Sequence, residues 1–369
     1  MKKRIIKDID GLLIILPFFL ILLILLSILY PNEIINYPNF VDWRTITALV
    51  GLLIITTAIK ESRYFLTITK RIFKKVNTER KMALVLTLLS CIFATFLTND
   101  ISLFIIVPLT LSFQKVIKND IRKIVIFEAI GVNVGSLLTP IGNPQNLFLW
   151  HQWNISFLDF MINMFPVFIL LFVLLILFIL IVFPSKEISI QKLEKTAKYN
   201  NRLFLLSLVL LISYIMILEF GLSYYALPVI FLIYLFFSHK IIMKCDWLLI
   251  ILFIIMFIDI QMISKTQIIL NLINSYNLNN PSIVFTFSLL SSQVVSNVPA
   301  SMFMSNFSHD YLSIAYGVNV GGNGIVIASL ANVIALRFVR NRKIWLDFHK
   351  YSLLYLAVTT GLVFVIFFI

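Results

Sequence analysis

GVNVGSLLTPIGNPQN (131–146) and GVNVGGNGIVIASLAN (317–332) open on the same pentapeptide, and each follows an apolar stretch interrupted by a Ser/Thr-Asn pair, Thr98-Asn99 in one case and Ser296-Asn297 in the other. The recurrence reads as an internal repeat. Glycine-containing polar backbone inside membrane-grade sequence is tolerated only where it is buried in protein or lines a water-filled cavity. Matching breaks in two halves of a chain point to the binding site of a secondary transporter.

The surrounding composition supplies the membrane. The chain has 369 residues, 60% of them hydrophobic and 13% charged, far from the ~25% charged composition of soluble domains. The runs 11–29, 157–183, 203–218, 224–237, 247–258 and 346–369 are mostly near or above the ~20 apolar residues that cross a bilayer as a helix. The basic stretch Met1 to Lys7 precedes an apolar run without a small-residue cleavage site, so it reads as a retained first span. Cys91 and Cys245 lie on separate segments and offer no disulfide framework and no metal-ligand spacing.

A net charge of +13 suggests a polyanionic partner until its distribution is read: 28 of the 30 Lys and Arg fall in 1–8, 60–81, 115–123, 184–202, 239–246 and 337–350, leaving Arg44 and Lys265. Such clusters mark cytoplasmic loops, whereas 31–42, 151–156, 219–223 and 274–280 carry none and read as external. The charge encodes topology and implies no nucleic-acid partner. The expected location is a prokaryotic cell membrane, multi-pass, with a cytoplasmic N-terminus and an external C-terminus.

Residues 82–114 are broken at Thr98-Asn99-Asp100 and flanked on both sides by basic residues, so both ends are expected inside. Each arm of ~16 residues reaches ~24 Å, short of a ~30 Å core, and a re-entrant hairpin from the cytoplasm follows. Three full crossings between Lys244 and Arg337 would put the basic residues from Arg337 to Lys343 outside, so 281–308 is expected to be a hairpin from the external face. The fold expected is an all-α polytopic membrane protein of two inverted-topology repeats, each with a re-entrant hairpin followed by a discontinuous helix. The first repeat, 1–183, holds two N-terminal spans, hairpin 82–114, broken span 121–149 and span 157–183; 184–202 is a cytoplasmic linker; the second, 203–369, holds spans in 203–262, hairpin 281–308, broken span 311–336 and span 346–369.

Gly131, Gly135, Pro140, Gly142 and Pro144 make a continuous helix through 131–146 improbable. Freed amides at half-helix starts favour anions, and unwound carbonyls favour Na+. The blander reading is close helix packing through small residues. Asn99 and Asn297 can cap short helices and also present amide oxygens to a cavity. An intramembrane carboxylate is a functional candidate by default, which selects Asp100 at the first tip, where a coupling proton can be held, and Glu128 one turn before Gly131; Val298 stands where a second Asp would be. Asp259 reads as interfacial, His151, His239, His309 and His349 as solvated residues at interfaces, and Trp43, Trp150, Trp153, Trp247 and Trp345 as interfacial anchors near span boundaries.

TNDISLFIIVPLT (98–110), GVNVGSLLTPIGNPQN (131–146), SNVPAS (296–301) and GVNVGGNGIVIASLANV (317–333) resemble the hairpin-tip and broken-helix motifs of the ion transporter superfamily, which includes citrate transporters, divalent-anion symporters, arsenite permeases and NhaD-type antiporters. The resemblance implies a transport body moving against a scaffold, often in a homodimer. Together with the breaks it selects Thr98, Asn99, Asp100, Asn133, Gly135, Ser136, Thr139, Asn143, Ser296, Asn297, Asn319, Gly321, Gly322 and Asn323 as the substrate and ion site. Na+ is expected, if used, at Asn99, Asn133, Asn297 and Asn319, and Asp100 with Glu128 as a proton pathway. The tips read Thr-Asn-Asp and Ser-Asn-Val, departing from the paired Ser-Asn-Thr of sodium/dicarboxylate symporters.

The function expected is a permease for a small anion, carboxylate or inorganic oxyanion, coupled to H+ or Na+, with no resident cofactor or metal and no ATPase subunit. A Na+/H+ antiporter using Asp100 is the alternative. An intramembrane aspartyl protease would need Asp100 and Asp259 to face one another, and the repeat supplies neither with a partner. A channel is disfavoured by hairpins entering from opposite faces, and no Gly-x4-Gly-Lys-Ser/Thr loop for ATP is present.

Overall fold

The computed structural model describes residues 12–73, 76–114, 120, 122–188, 199–339, 341 and 343–369; the basic stretch Met1 to Lys7, Lys115, Lys118, the middle of the linker and Arg340 and Arg342 lie outside them. The main helices are α1 (Leu12–Leu29), α2 (Trp43–Ser62), α3 (Tyr64–Phe73), α4 (Glu79–Leu97), α5 (Asn99–Gln114), α6 (Arg122–Ser136), α7 (Pro144–Trp153), α8 (Phe157–Val182) and α9 (Asn201–Glu219), followed by α10 (Ser223–Ile242), α11 (Trp247–Ser264), α12 (Gln267–Asn274), α13 (Pro281–Val295), α14 (Asn297–Ser305), α15 (Tyr311–Gly321), α16 (Leu330–Arg337) and α17 (Lys343–Phe368). Among the described residues seven helices are long and apolar enough to cross a membrane, and α1, bent by 118° into the segment after it, makes an eighth. The protein is an all-helical multi-pass membrane protein.

Helix starts follow local chemistry. Asn143 and Asn280 cap α7 and α13, each followed by a proline whose missing N–H costs nothing at the first helical position. Asp42, Thr78, Ser156, Asn200 and Asp310 cap α2, α4, α8, α9 and α15.

Each expected hairpin turns on one residue. Thr98 separates α4 from α5 with φ 75° and ψ 151°, and Ser296 separates α13 from α14 with φ 79° and ψ 156°. That region is nearly exclusive to glycine and costs about 1–3 kcal/mol for a side chain. The Thr98 carbonyl accepts from the Ser102 amide at 3.2 Å and hydroxyl at 2.8 Å, and the Ser296 carbonyl from the Ala300 amide at 3.0 Å.

The break in the first discontinuous helix lies later than the glycines suggest. α6 continues through Gly131 and Gly135 to Ser136, and the chain unwinds over 137–143; in the second, α15 ends at Gly321 and α16 begins at Leu330. The glycines serve close approach. Spaced i, i+4, they share one helix face. A Cβ on Gly135 would stand 2.0 Å from the Cys91 carbonyl oxygen and one on Gly131 2.8 Å from Thr87, both on α4. On α15, a Cβ on Gly317 would meet the Phe285 carbonyl oxygen at 2.5 Å and one on Gly321 the Ser292 side chain at 2.8 Å, both on α13. The pentapeptide therefore puts two glycines against a hairpin arm and its asparagine, two residues on, against the opposite side.

Packing between elements runs in matched pairs: α4 lies on α6 and α13 on α15; α5 on α16 and α14 on α7; α1 on α11 and α10 on α2; α2 touches α5, and α11 touches α14. α2 and α11 are buried along most of their length, while α8, α10 and α17 turn mostly apolar side chains outward. The described ends of the linker are pinned to the first unit, Glu187 bridging to Thr78 and the Asn200 amide donating to the Ser62 carbonyl at 2.9 Å.

Gly135→Ala and Gly317→Ala are expected to lower the thermal melting temperature of purified protein by the equivalent of about 1–3 kcal/mol, the usual cost of overpacking. Gly361→Ala, whose Cβ would meet nothing within 4 Å, leaves it unchanged; a Gly135→Ala melting curve that overlays the wild type contradicts the packing role.

Candidate substrate and ion site

The asparagines of the two pentapeptides meet partners in the other unit. The Asn133 side-chain amide donates to Asn332 Oδ1 at 2.9 Å and to the Gly322 carbonyl at 3.0 Å. In the mirror arrangement the Asn319 amide donates to Asn146 Oδ1 at 2.7 Å. Each acceptor asparagine is tied to its own break: Asn332 donates to the Gly322 carbonyl at 2.9 Å, and Asn146 to the Ser136, Leu137 and Thr139 carbonyls at 3.2, 3.1 and 3.3 Å. The amide oxygens of the first pair are taken as well. Ser329 donates to Asn133 Oδ1 at 3.0 Å, and Asn143 to Asn319 Oδ1 at 3.1 Å.

A second matched set joins each hairpin to its broken helix. Three residues before each strained tip, Thr95 donates to the Gly135 carbonyl at 3.0 Å and Gln293 to the Gly321 carbonyl at 2.6 Å. Thr139 returns a bond to the Thr95 carbonyl at 2.6 Å, and the Ile325 amide one to Gln293 Oε1 at 2.9 Å. The Asn99 amide at the start of α5 donates to the Gly142 carbonyl at 2.9 Å, while Ser296 reaches the Ala328 carbonyl at 3.5 Å.

The residues singled out in the sequence thus divide in two. Asn133, Asn319, Ser136, Asn143 and Thr139 are joined in the crossed network, and the Gly135, Gly321 and Gly322 carbonyls accept its bonds. Those nearer the tips keep unused capacity. Asn99 and Asn297 are buried, with Asn297 Nδ2 beside Gly322, 3.1 Å from where a Cβ would stand. Asp100, in the first turn of α5, is buried with Oδ1 unpartnered. Neither amide atom of the fully buried Asn323 has a partner. Buried polar atoms without partners are costly, and a bound ion, water or substrate group would satisfy them. The start of α5 adjoins that of α7 through the Asn99 amide and the Gly142 carbonyl, and the start of α14 adjoins that of α16 through Ser296 and the Ala328 carbonyl, while each second hairpin arm packs on the second half of the other unit's broken helix. Half-helix starts of this kind carry partial positive charge.

Glu128 sits apart from the tips. It is fully buried on α6, one carboxyl oxygen bonded by the Thr110 hydroxyl of α5 and the other unpartnered, and among the described residues no ion pair includes it. Four sequence readings are corrected. His151 is buried and bonded to Thr45. Trp150 is buried, donating to the Ile155 carbonyl at 2.8 Å. Asp259 is fully buried within α11 with both carboxyl oxygens unpartnered, where an interfacial residue is expected. His349 is half-buried and accepts from the Val326 amide at 3.3 Å, so it too is more than a solvated side chain. Asn146, Asn332, Thr95, Ser329 and Gln145 were not selected from sequence. Asn146 and Asn332 stood at equivalent places in the aligned repeat, and that was the available signal.

Residues 9–311 match the family profile described as Citrate transporter, and the chain belongs to that family. It is similar to the Inner membrane protein YbiR of Escherichia coli (strain K12), with 34% identity over 329 residues, 89% of this chain and 88% of that protein. It is 37% identical over 323 residues to the Uncharacterized transporter MJ0456 of Methanocaldococcus jannaschii, 86% of each chain. The "46 kDa membrane protein" of Mycobacterium leprae is 21% identical over 88% of this chain and 85% of its own length. The chain is a membrane transporter.

Asn146→Ala and Asn332→Ala each strand a buried amide donor of the other unit, and each is expected to cost about 1–3 kcal/mol of stability. In a double-mutant cycle read by thermal unfolding, Asn319→Ala with Asn146→Ala shows a coupling of about 0.5–3 kcal/mol. Strict additivity of that pair contradicts the bridge.

Proposed function

We propose that the chain is a secondary active transporter of a small anion, a carboxylate or inorganic oxyanion, coupled to H+ or Na+. The observation that carries this reading is the meeting of half-helix starts at each tip, α5 with α7 and α14 with α16, beside buried polar groups that lack partners. Oriented backbone donors favour an anion without a fixed positive side chain, and discontinuous helices of this kind hold substrate and coupling ion in known transporter architectures. The family description names a carboxylate substrate, which supports that class.

The matched packing pairs support two inverted-topology units, with 1–183 and 203–369 as their extents and 184–202 as the cytoplasmic connection. In this reading α4 to α8 and α13 to α17 form one transport body, and α1, α2, α9, α10 and α11 form a scaffold that also pairs two copies of the chain. The positive-inside distribution supports a cytoplasmic N-terminus and an external C-terminus. Substrate contacts fall to Thr98, Asn99, Ser296, Asn297 and Asn323, and the crossed amides Asn133 and Asn319 hold the frame around them.

Asp100 supplies what the second tip lacks. Its unpartnered oxygen is the acceptor at either tip best suited to a coupling proton or cation. The same observation favours the second reading, a Na+/H+ antiporter in which Asp100 and tip carbonyls exchange two cations.

In liposomes carrying purified protein, a labelled anion from a panel of carboxylates and oxyanions is expected to accumulate against its gradient when an inward H+ or Na+ gradient is imposed. Asn99→Ala/Asn297→Ala lowers the uptake rate by about tenfold or more, the factor set by about 1.4 kcal/mol of lost hydrogen bonding. Accumulation of no anion under either gradient contradicts the anion reading. Asp100→Asn is expected to keep anion exchange between the two sides while losing its acceleration by a pH gradient; retained acceleration removes Asp100 from coupling.

A further inference from the structure

We propose that His151 is a proton-binding site at the boundary between α2 and α7, and that proton uptake there separates the two helices on the external side. The inference rests on the transport-body and scaffold reading above, with α7 in the body and α2 in the scaffold.

Thr45 Oγ1 lies 2.6 Å from Asp42 Oδ2 and 2.8 Å from His151 Nδ1. Asp42 also accepts from the Thr45 amide at 3.2 Å. A carboxylate only accepts, so the one proton of the Thr45 hydroxyl goes to Asp42. The hydroxyl oxygen then accepts, and His151 Nδ1 must be the donor. In a neutral imidazole this leaves Nε2 without a proton. That nitrogen is buried and has no partner.

A second proton on the ring would create a buried charged donor with nothing to receive it, which costs more than leaving a neutral group unsatisfied. Two charges act on the ring in opposite directions, the Asp42 carboxylate held across Thr45 favouring the cation and Arg44 opposing it. Arg44 on α2 acts electrostatically on the ring, and its own Nε is buried without a partner. Of the other elements packed on α7, α14 carries no titratable side chain, and α15 offers Tyr311, Tyr316 and the Asp310 at its cap. Trp150 is stacked on the imidazole at 5.4 Å between centroids. The closed contact therefore tolerates neutral His151 and rejects the cation. Separation of α7 from α2 gives Nε2 to water, where a histidine takes its proton between about pH 8 and about pH 5. By linkage a falling external pH favours the separated state.

Arg44 gains an explanation. It is one of two basic residues outside the six charged clusters. Beside His151 it opposes protonation of the closed contact.

The test is a distance measured between spin labels at Asn39→Cys, exposed shortly before α2, and Gln152→Cys, exposed on α7, in protein reconstituted into liposomes; the native Cys91 and Cys245 are buried. With His151 present, a longer-distance population is expected to appear as the pH falls from about 8 to about 5. His151→Gln, which can still donate to Thr45, remains at the short distance at both ends of that range. Thr45→Val, which removes the acceptor, shows the long population at both. A distance that does not respond to pH with His151 present, or an equal response in His151→Gln, overturns the proposal. The readout needs no substrate, so absence of anion uptake would count against the anion reading and leave this result standing.

Discussion

The bond that the rest of this structure depends on is the amide exchanged between the two broken helices. A side-chain amide carries two donors and an acceptor, and in a membrane interior no bulk water is available to satisfy them. Asn133 finds Asn332 and Asn319 finds Asn146, so neither unit can bury its own pentapeptide without the other. Once those bridges form, the glycines two residues to either side must face outward from them. Only a hairpin arm without intervening bulk can then approach, and α4 and α13 do.

From this follows a division of labour among similar residues. The amides in the helices hold the frame, and the polar groups beside the tips keep unused bonding capacity. The tips themselves are strained: Thr98 and Ser296 adopt the same backbone conformation, unfavourable for both side chains. Strain of this kind persists where surrounding contacts over-determine it, here the bonds from Thr95 and Gln293 to the glycine carbonyls.

Much of the frame was legible in the sequence because helix breakers and charge act locally. The hairpin turns fall at Thr98 and Ser296, where a short polar pair interrupts an apolar run. Gly131 and Gly135 were misleading for a physical reason: glycine permits an irregular backbone and equally permits close packing inside a regular helix, and only the neighbour decides between them. Partners far along the chain were not legible. Nothing near Asn133 announces that its amide is met by Asn332, and nothing near His151 announces Thr45. Asp259 and Trp150 looked interfacial from their place near helix ends, yet tertiary packing buries both.

The central functional claim is that the site is built for an anion and that cation movement depends on it. It is tested most directly by fluorescence from a pH dye inside liposomes carrying the purified protein, after an inward Na+ gradient is imposed with no substrate anion, alongside Asn99→Ala/Asn297→Ala. The account predicts no change in internal pH in either sample until an anion is supplied. Internal alkalinisation driven by Na+ alone, and lost in the double variant, would contradict it and establish exchange of the two cations.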